Sequence, residues 1–126
     1  METELPEYLS NGEHYASYHP VGEMTLADCV SMIDGAIRYC RDNGIGSLLV
    51  NITGVSGFPP PSTTDRFLFT KHWAETAAGK LAVAMVAPPE MIDLDKIGVT
   101  MAGNRGLRSD VFTLESDAIE WLLSRS

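Results

Sequence analysis

The sequence predicts an α/β fold: a mostly parallel sheet of about four to five strands with about four helices. Three observations carry that prediction. Short, almost wholly apolar runs bounded by glycine or proline read as strands covered on both faces. Between them lie segments with apolar residues at three- and four-residue steps, the period of a helix with one face on a sheet. Two of these segments open on a hydroxyl residue three places before an acid, and glycine follows three of them. Strand and helix thus alternate along the chain, which requires right-handed crossovers and a largely parallel sheet.

In order, residues 1–13 carry Pro6, Asn11 and Gly12 among acidic and amide groups and few apolar ones, so a loose leader is expected, followed by a single domain over 14–126. Tyr15 to His19 alternates weakly and suits a short edge strand. After the Pro20-Val21-Gly22 turn, Thr25 and Asp28 start a helix. Its core stripe is Cys29, Val30, Ile33, Ala36, Ile37 and Cys40, its outer face holds Asp34, Arg38, Arg41 and Asp42, and Asn43-Gly44 ends it. Leu48-Leu49-Val50-Asn51-Ile52 is the first buried strand. Ser62 and Asp65 open a second helix with Phe69, Trp73 and Ala77 inward, stopped by Gly79. Leu81 to Val86 is a second apolar strand, closed by Ala87-Pro88-Pro89. Asp93 to Asn104 reads as a third helix with Ile97 and Met101 inward, ended by Gly106. Val111-Phe112 marks a last strand, and Thr113 caps a final helix carrying Ala118, Ile119, Leu122 and Leu123.

Composition narrows function. Apolar residues are 44% and charged residues 21% of the 126, as in ordinary globular chains. No apolar run approaches the ~20 residues of a membrane-spanning helix, and the acidic opening Met1-Glu2-Thr3-Glu4 is unlike a signal peptide, so a cytoplasmic protein without stable membrane insertion is expected. With 17 acidic against 9 basic residues the formal charge is -8. Nucleic acid, itself an anion, is therefore not an expected partner. Cys29 and Cys40 fall on one helix ~16 Å apart along its axis, too far for a disulfide, whose Cα atoms must lie within ~7 Å. They read as small buried residues.

The stretch LLVNITGVSGFPPPS, Leu48 to Ser62, resembles the strand, loop and helix start of STAS domains, and the order of elements agrees over about residues 14–124. Together with AMVAPPEMID and GVTMAGNRG, the GFPPPS loop looks like the SpoIIAA-like group of small bacterial proteins within the STAS and SEC14-like superfamily. The resemblance implies a regulatory or binding module. STAS regulators present a phosphorylatable serine in an Asp-Ser-Ser-Gly type motif. Counted from Asn51 and Thr53, the acid and that serine fall at Pro59 and Pro60, which have no hydroxyl. Ser62, with Thr63 and Thr64, is the remaining phosphorylation candidate.

Ligands of parallel α/β sheets bind beyond the carboxyl ends of the strands. Here that edge gathers the 54–62 loop, Pro88 to Asp93, and Thr113 to Glu115. In the loop, Gly54 and Gly57 permit unusual backbone angles, Pro59-Pro60-Pro61 stiffens the approach as polyproline II, and Phe58 either stands outward on a rigid arm or packs over the sheet edge. The candidate binding residues are Phe58, Pro60, Ser62, Thr63, Thr64 and Glu90. The N-terminus of the Ser62 helix has the amides for an anion, but Asp65 places negative charge there and capping alone accounts for both residues. His14, His19 and His72 lack metal-ligand spacing, no nucleophile elbow surrounds a serine, and Glu90 with Asp93 is a weak catalytic pair, so no catalytic residue, metal or cofactor is assigned. Arg105 and Arg108 are expected at the edge opposite Ser62.

The leading expectation is a non-enzymatic regulatory or binding module, acting through a protein partner or a small apolar ligand at the 54–62 loop. A lipid or fatty-acid carrier of SEC14-like type and a small enzyme are the alternatives. A homodimer is expected through edge strands and the Trp73 and Trp121 helices, unless both tryptophans bury within one subunit.

Overall fold

The computed structural model describes residues 6–92 and 97–124. In chain order the elements are β1 (Leu9–Asn11), β2 (Ala16–Tyr18), β3 (Gly22–Glu23), α1 (Leu26–Asp42), β4 (Ser47–Asn51), β5 (Val55–Ser56), α2 (Thr63–Ala77), β6 (Ala82–Val86), α3 (Ile97–Asn104), β7 (Arg108–Phe112) and α4 (Glu115–Ser124). The α/β class, the parallel character and the strand number of the main sheet match the sequence reading. Five strands run in the order β1-β2-β4-β6-β7, antiparallel only at the β1–β2 pair.

The layering follows from that order. From β2 through β4 and β6 to β7 each new parallel strand is added on the same side of the last. Right-handed crossovers that advance in one direction leave every connecting helix on one face. Helices α1 and α2 accordingly share a core with Leu48, Val50 and Val83, whereas α4 packs Ala118 and Leu122 on the opposite face against Leu49, Ala82, Ala84 and Val86. The alternation is the two-residue period of a strand. Parallel strands whose order never reverses have no topological switch point, so the crevice that serves dinucleotide-binding folds is not formed.

Local signals account for the helices. The Thr25 hydroxyl accepts from the Asp28 amide at 3.1 Å and starts α1. Ser62 and Asp65 form the complete capping box of α2, and Ala78 and Gly79 turn left-handed to end it. Two contacts then lock α1 to α2. The Trp73 indole N–H donates to the Val30 carbonyl at 3.1 Å, and the buried Asp34 carboxylate accepts from Thr76 Oγ1 and from Arg38 Nη2.

Several expectations are corrected. The leader was expected to be loose to residue 13, yet Leu9 is buried and β1 pairs with β2 through Leu9–Tyr18, Ser10–Ser17 and Asn11–Ala16, closed by the Gly12 amide on the Tyr15 carbonyl. One leucine in a polar stretch produces no period, so only pairing reveals this strand. It also moves β2 from the edge to the interior. Of the third helix, 93–96 lie outside the described residues; Pro89–Met91 instead form a 3-10 turn, and α3 runs from Ile97. The α4 cap position belongs to Leu114, whose carbonyl accepts from Ala118, rather than to Thr113. Trp73 is buried in the core and Trp121 packs on Phe112, so Trp73 offers no surface to a second copy. The described helices include none long and apolar enough to cross a membrane.

Candidate functional site

The 54–62 loop leaves β4 at Asn51, where the side chain holds the turn: Asn51 Oδ1 accepts from the Thr53 amide at 2.9 Å and from its hydroxyl at 2.7 Å. The loop is then strapped down by a feature the sequence did not announce. Its β5 segment pairs in parallel with β3 as a two-residue sheet, Gly22 with Val55 and Glu23 with Ser56, and the Met24 amide donates to the Ser56 carbonyl at 2.8 Å. Gly57 makes that approach possible. Its φ is +113°, and a Cβ there would stand 2.5 Å from the Met24 carbonyl oxygen, so no other residue fits.

Strapping the loop aims Phe58 inward. The ring is half-buried against the core, which answers the open choice between an outward arm and a packed edge in favour of packing. Behind it, between the sheet and the layer of α1, α2 and α3, lies an apolar cavity of about 100 Å³. Its buried floor includes Cys29, Ile33, Val83 and Ala87; its rim includes Leu26, Phe58, Pro61, Met91 and Ile92, at the carboxyl edge of the sheet; α3 closes the far side with Val99.

The polar groups around this cavity are arranged to keep it apolar. Trp73 turns its ring to the space while its N–H is taken by the Val30 carbonyl. The Thr70 hydroxyl donates back along α2 to the Arg66 carbonyl at 2.6 Å. Burial pushes the Cys29 thiol up to about 11, so it lines the floor as a neutral, unreactive group. Arg66 differs: its guanidinium Nη2 donates to the Met91 carbonyl at 3.0 Å, joining α2 across the rim to the 3-10 turn.

Among the residues singled out from sequence, Phe58 alone lines the cavity. Pro60 is exposed on the loop. Ser62 is the N-cap, its hydroxyl accepting from the Asp65 amide at 3.1 Å, and Thr63 and Thr64 lie exposed in the first turn. Glu90 is exposed on the 3-10 turn, beside Met91 and Ile92, which do reach the cavity. The sequence reading did not mention Arg66, placed Val30 only in the core stripe of α1, and took in Met91 and Ile92 only as part of the Pro88 to Asp93 edge. Met91-Ile92, one residue beyond Pro88-Pro89, was the available signal, since two apolar residues in an exposed turn need a surface to cover.

A second polar cluster forms beyond the strand ends. Glu115, at the start of α4, accepts from Asn51 Nδ2 at 2.8 Å and lies 3.3 Å from His19 Nε2, so residues 96 positions apart meet beyond β2 and β4. Both His19 and Glu115 are about two-fifths exposed, which makes this a surface tie between α4 and the sheet. Arg105 sits over the Phe67 ring of α2, 5.0 Å from its centre, and does not line the cavity. No set of three or more potential metal ligands is grouped among the described residues. No protein-family model matches this chain, and no curated protein matches it.

Proposed function

We propose that this chain is a non-enzymatic binding module whose ligand is a small apolar molecule seated in the cavity behind the 54–62 loop. The observation that carries the reading is the cavity itself: concave, lined almost wholly by apolar side chains, and bordered by a loop fixed in place before any ligand arrives. A fixed rim loses little conformational freedom on binding. A STAS-like or SpoIIAA-like membership, proposed on the order of elements and on the GFPPPS loop, accords with a regulatory use of that binding.

The size of the cavity supports this reading over the alternative of a lipid or fatty-acid carrier. Drug-sized and larger ligands need about 300 Å³ or more, and a cavity of roughly 150 Å³ takes one benzene. The space here, about 100 Å³, is smaller than that and takes part of a short unbranched chain. A protein partner would meet the exposed Pro60 and the first turn of α2, surfaces that the cavity reading leaves unused.

The test is a titration with 1-hexanol followed by methyl NMR. Shifts are expected at Ile33, Val83 and Met85, and Ala87→Leu, which fills the floor, should remove them. Shifts confined to other surfaces, or none at millimolar ligand, would refute the proposal. Turnover of an ester, phosphate or glycoside panel that disappears with Phe58→Ala would overturn its non-enzymatic part.

A further inference from the structure

We propose that the cavity is selective for short ligands with an anionic head, and that Arg66 is the residue that selects them. This inference rests on the cavity reading above and adds to it the chemical class of the ligand.

Three features of the rim point to it. Among the described residues that line the cavity Arg66 is the only lysine or arginine, and it stands in the first turns of α2, where the apolar wall meets solvent. A guanidinium has five N–H donors in a fixed fork, and the Met91 carbonyl engages Nη2, so the side chain is held across the rim with donors to spare. The other polar groups near it are already satisfied. The Trp73 N–H is bound to Val30, and the Thr70 hydroxyl is bound within α2. At the start of α2 the capping box engages the Ser62 and Asp65 amides, and the Asp65 carboxylate places negative charge there.

Among the described residues no ion pair joins an acid to Arg66. The Asp65 carboxylate accepts from the Ser62 amide at 3.3 Å. Asp110 also borders the cavity, but it stands in register with Ala84, a residue of the α4-facing core, and its carboxylate accepts from the Val111 amide at 2.8 Å. Glu90 is exposed on the 3-10 turn. A ligand with an apolar body on Val30 and Trp73 and a carboxylate at the rim would therefore meet a positioned cation. A neutral ligand of the same length would leave Arg66 with water. Hydrogen bonds between charged partners are about twice as strong as neutral ones, so the anionic head should bind at least about tenfold more tightly, the equivalent of about 1.4 kcal/mol.

The experiment compares hexanoate with 1-hexanol at neutral pH by calorimetry or NMR titration, on the wild-type chain, Arg66→Met and Arg66→Lys. The expected result is a preference for hexanoate of tenfold or more in the wild type, lost in Arg66→Met while hexanol still binds, and partly kept in Arg66→Lys. Equal or tighter binding of hexanol by the wild type overturns the inference without any variant, as does a preference that survives in a folded Arg66→Met. Failure of both compounds to bind refutes the cavity reading itself, which separates the two failures. Thermal melts of each variant show whether the Arg66 to Met91 tie is needed for folding.

Discussion

Replacing Asp34 tests how α1 is held to α2. The carboxylate is 4% exposed and holds three groups: Thr76 Oγ1 donates to Oδ1 at 2.5 Å, Arg38 Nη2 donates to Oδ2 at 2.9 Å, and His72 Nε2 lies 3.4 Å from Oδ1. In Asp34→Ala these partners fare differently. Arg38 and His72 have side chains 57% and 56% exposed and can turn to water, so their loss costs at most about 0.5 kcal/mol each. Thr76 is buried, and its hydroxyl is left without its acceptor at about 1–3 kcal/mol. The expected total is about 1–4 kcal/mol, a fall in melting temperature of roughly 4–16 °C for a chain of this size. Urea unfolding followed by tryptophan fluorescence gives the value, since Trp73 sits at the same helix pair. The decisive measurement is the double-mutant cycle with Thr76→Val. If the buried hydroxyl carries most of the cost, Asp34→Ala should be milder by about 1–2 kcal/mol in the Thr76→Val background. Additive losses, with a coupling below about 0.3 kcal/mol, would show that the Asp34–Thr76 bond is not what joins the helices.

Two glycine replacements should move stability in opposite directions. Gly57→Ala, at φ +113° and against the Met24 backbone, is expected to destabilise by more than about 1 kcal/mol and to release the β3–β5 strap. Gly35→Ala, inside α1 with open space around it, is expected to stabilise by about 0.5–1 kcal/mol; matched urea curves check both, and a change of the reverse sign at either position would refute its placement. Ser62→Ala removes the α2 cap and should lower stability by about 1 kcal/mol in the same assay. The cysteine thiols, raised by burial to about 11 at Cys29 and about 12 at Cys40, should resist a thiol reagent at pH 8 until the protein unfolds, and labelling as fast as in denaturant would contradict their burial. The linkage has a definite sign: the unfolded chain releases those thiol protons near their ordinary value of 9, before the folded one, so stability is intact below that pH and declines as pH rises toward 11–12. Tyr18, pushed up to about 12 mainly by burial, acts in the same direction from its ordinary value of 10.

What the sequence determined by itself is whatever is written in neighbouring residues. The Thr25 and Ser62 caps, the Ile33, Ile37 and Cys40 stripe, and the apolar runs of β4 and β6 each act within a few positions, and each was legible for that reason. From their alternation came the parallel sheet. Only the tertiary structure decided the rest. The β1 strand rests on pairing rather than period, and the inward turn of Phe58 depends on a strap formed with residues more than thirty positions earlier. The cavity lies between the sheet and the helices packed over it, and its lining comes from segments scattered from Leu26 to Val111, which no single segment contains. Arg66 reads in sequence as one more charge in the first turns of α2; it becomes a rim residue because the turn after β6 brings the Met91 carbonyl within 3.0 Å of it. Local order follows from local chemistry, whereas a site is a meeting of distant segments, and for that the chain must first fold.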